Sequence, residues 1–263
     1  MTAFALPTPR LVAADVLKLR KNRGLAAVTG VLTFGAVAIT VGVMELLHLV
    51  NSTKHGPAGG VPNLGHVAFL ISALGTAAAA IVASRVAAGD RDSGVYRDLV
   101  VTGRSRAQLY LSRIPAGLAY LLPFVGLTYA FEAVASVVFA GSKPMPDTRL
   151  LVLTGLWTLL QVTFFYLLST AVATLVGSRY AIGLVLAFRL AIGPLVASIS
   201  ALGIVRELMP SVALQALTPA ALGDAARQGP VIPMSTAAVA AVLIIWTVAA
   251  LRIARWRDVS RDA

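Results

Sequence analysis

With 263 residues, 58% of them hydrophobic and 13% charged, the chain has about half the charge a soluble domain needs to cover its surface. Its apolar residues fall in runs long enough to cross a hydrocarbon core of about 30 Å, which takes about 20 residues as helix. A soluble domain is excluded, and the absence of cysteine excludes a disulfide framework, a thiolate metal site and a cysteine nucleophile.

Residues 10–23 (RLVAADVLKLRKNR) are predicted to form a helix at the membrane surface. At 100° per residue Val12, Val16 and Leu19 share one side, and Arg10, Lys18 and Lys21 gather opposite. Asp15, Arg20 and Arg23 blur that division, so a basic membrane flank that happens to be helical is the plainer alternative. The first apolar run starts only after Arg23 and is longer than a signal-peptide core, so it is read as a retained span.

Six spans follow, over 24–44, 64–84, 114–140, 150–176, 180–205 and 233–251. Gly177-Ser178-Arg179 is the whole connection between the fourth and fifth, a tight helical hairpin. Pro123 and Pro194 should kink spans three and five, and Gly75, Ala79 and Ala83 give span two a face suited to close helix contact. Orientation follows from the basic residues. Sixteen of the 22 lie before span one, in 85–113, at Arg179 or after span six; five (Lys54, Lys143, Arg149, Arg206, Arg227) lie opposite, and Arg189 is inside span five. Both termini are therefore expected in the cytoplasm. The net charge of +11 is explained by topology, which argues against a nucleic-acid partner. The chain divides into an N-terminus at 1–23, a six-helix transmembrane domain at 24–251 and a basic tail at 252–263.

Two connections look ordered. In 85–113, Asp92 or Ser93 is placed to cap a short helix whose Tyr96, Leu99 and Val100 share a face, with Arg97 beside them. Gly103 ends that helix and Ser105 caps the next. Lipid headgroups or a cytoplasmic partner protein would both serve such a face. Asp90, Asp92 and Asp98, interleaved with Arg91 and Arg97, read as a solvated, self-neutralising loop. In 206–232 the stretch LMPSVALQALTPAAL is too apolar for a free loop and too short to span, which predicts a re-entrant or interfacial segment.

Enzyme chemistry finds no constellation. There is no G-x-x-x-x-G-K-[ST] nucleotide loop and no H-E-x-x-H spacing, and His48, His55 and His66 fall at the outer ends of the first two spans as interfacial polar residues. Polar residues within spans are more telling. Arg189 lies roughly 13 Å into span five and Gln161 roughly 16 Å into span four from the other side, similar depths at which a hydrogen bond is geometrically possible. A charge so placed should face the protein interior or a watery cavity, as interhelical glue or as part of a substrate path. Glu132, near the outer end of span three, is expected to be hydrated.

Three stretches carry a resemblance. They are DVLKLRKNR near the start, GDRDSGVYRDLVVTGRSRAQLYLSRIPAG between spans two and three, and RIARWRDVSRDA at the end. In this order, with these spans between them, the chain resembles the permease subunit of ABC-2 family exporters. Asp15 stands where that family usually has Glu, and Gly94, Leu99, Ser105-Arg106 and Arg257-Asp258-Val259 fall where expected. The presence of Asp90 and Asp92 rather than Glu departs from the pattern. The resemblance implies a non-catalytic membrane subunit in a bacterial plasma membrane. It implies docking of the 85–113 coupling helix onto a separate P-loop ATPase, with 10–23 as the connecting helix beside it. ATP and Mg would be bound by that partner, two ATPases and two permeases would assemble, and an amphipathic small molecule, drug or lipid-like substrate would pass between the permeases. Arg189, Gln161 and Glu132 would be the cavity candidates. Two other classes compete. A secondary transporter predicts paired acids near the midplane, and a membrane immunity or scaffold protein predicts docking without transport.

Overall fold

The computed structural model describes residues 8–92, 94, 101, 105–227 and 232–260. Among these the secondary structure is entirely helical, and six helices are long and apolar enough to cross a membrane. Helix α1 (Pro9–Lys21) precedes the spans α2 (Arg23–Val50), α3 (Val61–Asp92), α4 (Arg106–Val138), α5 (Thr148–Val176), α6 (Ser178–Ser198) and α8 (Thr236–Ser260). A short helix, α7 (Pro210–Ala216), lies between the last two spans, flanked by 3-10 segments Ser200–Arg206 and Ala220–Ala226.

Local chemistry sets the boundaries. Asn22 separates α1 from α2 and its side chain accepts from Leu25 N at 3.0 Å, while Asp147 does the same for α5 through Leu150 N. Ser105 and Gln108 form a reciprocal capping box at the start of α4. Between α5 and α6 only Gly177 intervenes, its φ of +88° in the left-handed region that favours glycine. Ser178 already belongs to α6, so the hairpin is tighter than the sequence suggests. Several helices run beyond the expected spans because the hydrogen-bond ladder continues after the apolar stretch ends. The fifth is shorter: α6 stops at Ser198, and the chain reverses through Gly203 (φ 51°).

The centre of the bundle is the pair α3–α5. Their apolar stretches are 67% and 61% buried, against 22% for α2 and 17% for α8, which leaves those two turned largely toward lipid. Gly75 admits the close approach, since a Cβ there would sit 2.8 Å from Val162 Cγ2, and Ala79 and Ala83 are fully buried beside it. Several hydroxyls inside α5 bond back to their own helix, with Thr158 donating to Thr154 O and Thr170 to Tyr166 O. Helix α4 continues through Pro115 and Pro123. Helix α6 contains a π turn at Phe188–Ile192, just ahead of Pro194.

The segment between α6 and α8 is not a free loop. Pro210, Ser211, Val212, Ala213 and Leu214 are all buried, and α7 packs against α8. Trp157 of α5 donates its indole N–H to Leu214 O at 2.9 Å, and Trp246 of α8 donates to Leu208 O at 2.8 Å. Leu222 and Ala226 close over Leu64, Ala68 and Leu150.

Candidate functional site

Two polar clusters stand out, one at the end of the bundle that carries α1 and one inside the spans. The first joins α1 to the facing ends of α3 and α4. Arg113 Nη2 donates to Asp90 Oδ2 at 3.0 Å and Nη1 to Ala87 O at 3.3 Å, while Lys18 pairs with the other Asp90 oxygen. Ser112 Oγ donates to Asp15 Oδ2 at 2.9 Å, and the Tyr166 hydroxyl donates to the Arg113 carbonyl oxygen at 3.1 Å. The Asp90 and Arg113 side chains are 9% and 4% exposed, so this ion pair is withdrawn from water. Burial pushes the Asp15 carboxyl above the usual carboxylate range, opposed by the Ser112 hydroxyl and the nearby Arg113 charge. Tyr110 of α4 also reaches toward Leu251 O of α8 at 3.5 Å, so both ends of the chain meet on this side.

This cluster corrects two sequence expectations. Asp90 is not part of a solvated loop: α3 stays helical to Asp92, which carries Asp90 inward against Arg113. Asp15 does not weaken the buried face of α1 but lies on it, one turn from Leu11 and one from Leu19, because Ser112 satisfies its carboxylate. By sequence Arg113 counts as a basic flank, and the one signal of its inward position was missed. That signal is the buried stripe Arg113, Ala116, Gly117, Tyr120, with helical spacing. The pairings of Lys18 with Asp90 and of Asp15 with Ser112, 72 and 97 positions apart in the chain, had no local signal.

The segment between these helix ends holds Tyr96, Arg97, Leu99 and Val100, which lie outside the described residues. What the structure describes is the frame on either side, from Asp90 in α3 to Ser105 and Arg113 at the start of α4.

The second cluster centres on Arg189, which is 6% exposed. Its Nη2 donates to Gln161 Oε1 at 3.0 Å and lies 3.4 Å from Ser72 Oγ, and its guanidinium carbon is 5.3 Å from the centre of the Phe165 ring. The structure thus brings Arg189 and Gln161 together and adds Ser72, which the sequence did not single out. An amide oxygen, a hydroxyl and a π face spread the stabilisation of one delocalised charge over three helices.

Glu132 is not part of this cluster, and it is not hydrated. It is fully buried, and neither carboxyl oxygen has a hydrogen-bond partner. Further along, loop 51–60 folds over the outer end of α4, with Gly60 N bonded to Ser136 O and Gly59 N to Phe139 O. His48 belongs to that cap and donates from Nδ1 to His55 O at 2.7 Å.

No curated protein matches the chain. Residues 11–193 do match the family described as ABC-2 family transporter protein, a stretch that runs from α1 through the ionic cluster and the Arg189 cluster to the end of the π turn. The chain therefore belongs to the ABC-2 transporter family.

Proposed function

We propose that this chain is the permease subunit of an ATP-binding-cassette exporter, driven by a separate P-loop ATPase that docks between α3 and α4. The observation that carries this reading is the Lys18–Asp90–Arg113 cluster with its Asp15–Ser112 companion, which ties α1 to both helix ends bordering 93–104. A docking segment needs rigid anchorage on each side if a partner's motion is to reach the spans. The buried Asp90–Arg113 pair locks α3 to α4, because separating it would strand a charge away from water, and Lys18 and the Asp15–Ser112 hydrogen bond hold α1 beside it. In this reading the α1 end is cytoplasmic, in keeping with its basic residues, and the membrane is a bacterial plasma membrane. ATP and Mg belong to the partner. Two permeases and two ATPases assemble, and an amphipathic small molecule, drug or lipid-like substrate leaves by a path to which Arg189 and Gln161 contribute.

The test is a pull-down from detergent with the P-loop ATPase of the proposed complex, with hydrolysis measured alongside. Tyr96 and Leu99 are the aromatic and aliphatic anchors of the docking segment, and their truncation should cost about 2 kcal/mol or more. Tyr96→Ala/Leu99→Ala should insert normally, co-purify poorly and leave hydrolysis unresponsive to substrate. Full co-purification with coupled hydrolysis would sink docking through this segment.

A further inference from the structure

The family match stops at Gly193, and at that residue α6 meets the helix α7 that folds back beneath it. A Cβ on Gly193 would lie 2.6 Å from Ser211 Oγ, so only glycine leaves space there for the hydroxyl. Ser211 is 9% exposed, and its Oγ is buried without a hydrogen-bond partner. Beside it is a recess with room for about one water-sized occupant, lined by Arg189, Gly193, Pro194, Ala197, Ser211 and Gln215.

The polar lining is a guanidinium, a hydroxyl and an amide, all able to donate. A buried hydroxyl left unmatched costs about 1–3 kcal/mol, and this one opens on a recess where a bound group can accept from it beside a guanidinium. The π turn at Phe188–Ile192 carries Arg189 to this wall, and such turns recur at functional sites. We infer that the recess between α6 and α7 binds one small monoanionic group, held by Arg189 and Ser211. The space is about that of one water molecule, so it takes a single halide or one oxygen of a carboxylate and is too small for a bulky substrate. The group arrives either as a free inorganic anion or as the acidic end of an amphipathic molecule, and the chemistry of the site is the same for both. By bridging the π-turned helix to α7, the anion ties the part of the chain within the family match to the part beyond it. This goes beyond the exporter reading and does not depend on ATPase docking.

The experiment uses the isolated permease in detergent, with chloride replacing sulfate at constant ionic strength and Tm as the readout. A saturable rise in Tm is expected for the wild-type chain. In Ser211→Ala the midpoint should move to about tenfold higher chloride or more, because a hydrogen bond to the anion is lost. Arg189→Lys, which keeps the charge but loses the planar fork, should respond weakly or not at all. Butyrate added at fixed chloride separates the sources: competition marks the carboxylate of an amphipath, and its absence marks the inorganic ion. A Tm that does not saturate with chloride, or the same midpoint in wild type and Ser211→Ala, overturns the site and leaves water as its occupant.

Discussion

Asp90 and Glu132 are both buried acids, 7% and 0% exposed, at opposite ends of the same bundle, and they are treated in opposite ways. Asp90 sits between an arginine and a lysine on two other helices. Glu132 has no partner for either oxygen. The first is a joint, whose removal leaves charges stranded. The second is a polar group that the surrounding helices tolerate without rewarding. Burial alone therefore says little about what a charged residue does in a membrane protein; the partners decide.

The largest expected effect tests the joint. Arg113→Met removes the buried cation paired with Asp90, and Lys18, whose side chain is 63% exposed, screens the remaining charge little. Loss of one partner of a buried pair costs about 3–5 kcal/mol, so Tm in detergent should fall by several degrees. Arg113→Met/Asp90→Leu should recover much of that loss; no recovery would mean that Arg113 acts by packing rather than by charge. Glu132→Met should go the other way and raise Tm, since removing an unmatched buried polar group regains about 1–3 kcal/mol. A fall in Tm would show that Glu132 does find a partner, and would erase the contrast.

A smaller effect sharpens the Asp90 end. Tyr166→Phe deletes only the hydroxyl that reaches the Arg113 carbonyl oxygen, and should cost about 1 kcal/mol with topology unchanged. The smallest is a pH effect at Asp15. Its folded pKa is raised, mainly by burial, so the folded state holds the proton more tightly than the unfolded chain. The ionised form is penalised above the folded pKa, and stability from this group grows as pH falls through that value toward the unfolded one. Relative to Asp15→Asn, the wild-type chain should gain Tm on acidification below neutral; an unchanged difference across that range would defeat the assignment.

The spans were legible because hydropathy over about 20 residues is a local property. So were the Ser105 cap, the Gly75 contact face and the similar depths of Arg189 and Gln161, each readable from spacing along one or two helices. The joint was not legible. Arg113 counted as one more basic flank and Asp90 as loop charge, because the sequence gives no register between helix ends that meet only in the folded bundle. Glu132 was misread for a related reason, since depth along one span does not tell which side of the helix the bundle covers. Ser211 lay in a stretch recognised as too apolar to be free, but its orphaned hydroxyl becomes visible only beside Gly193.

The π turn in α6 also has a consequence for helical phase. The inward residues of this span, Ala181, Val185, Arg189, Gly193 and Ala197, recur every fourth position. In a continuous α-helix each step of four overshoots a full turn by about 40°, so the stripe would wind by about 160° from first to last. One π turn absorbs an extra residue and takes back about 100° of that rotation, which keeps the stripe on one side. Deleting a single residue between 188 and 192 would restore the α count and swing Gly193 and Ala197 off the bundle by more than a quarter turn. In most loops the loss of one residue is among the mildest lesions; in this span it would turn the distal part of the helix to face the lipid.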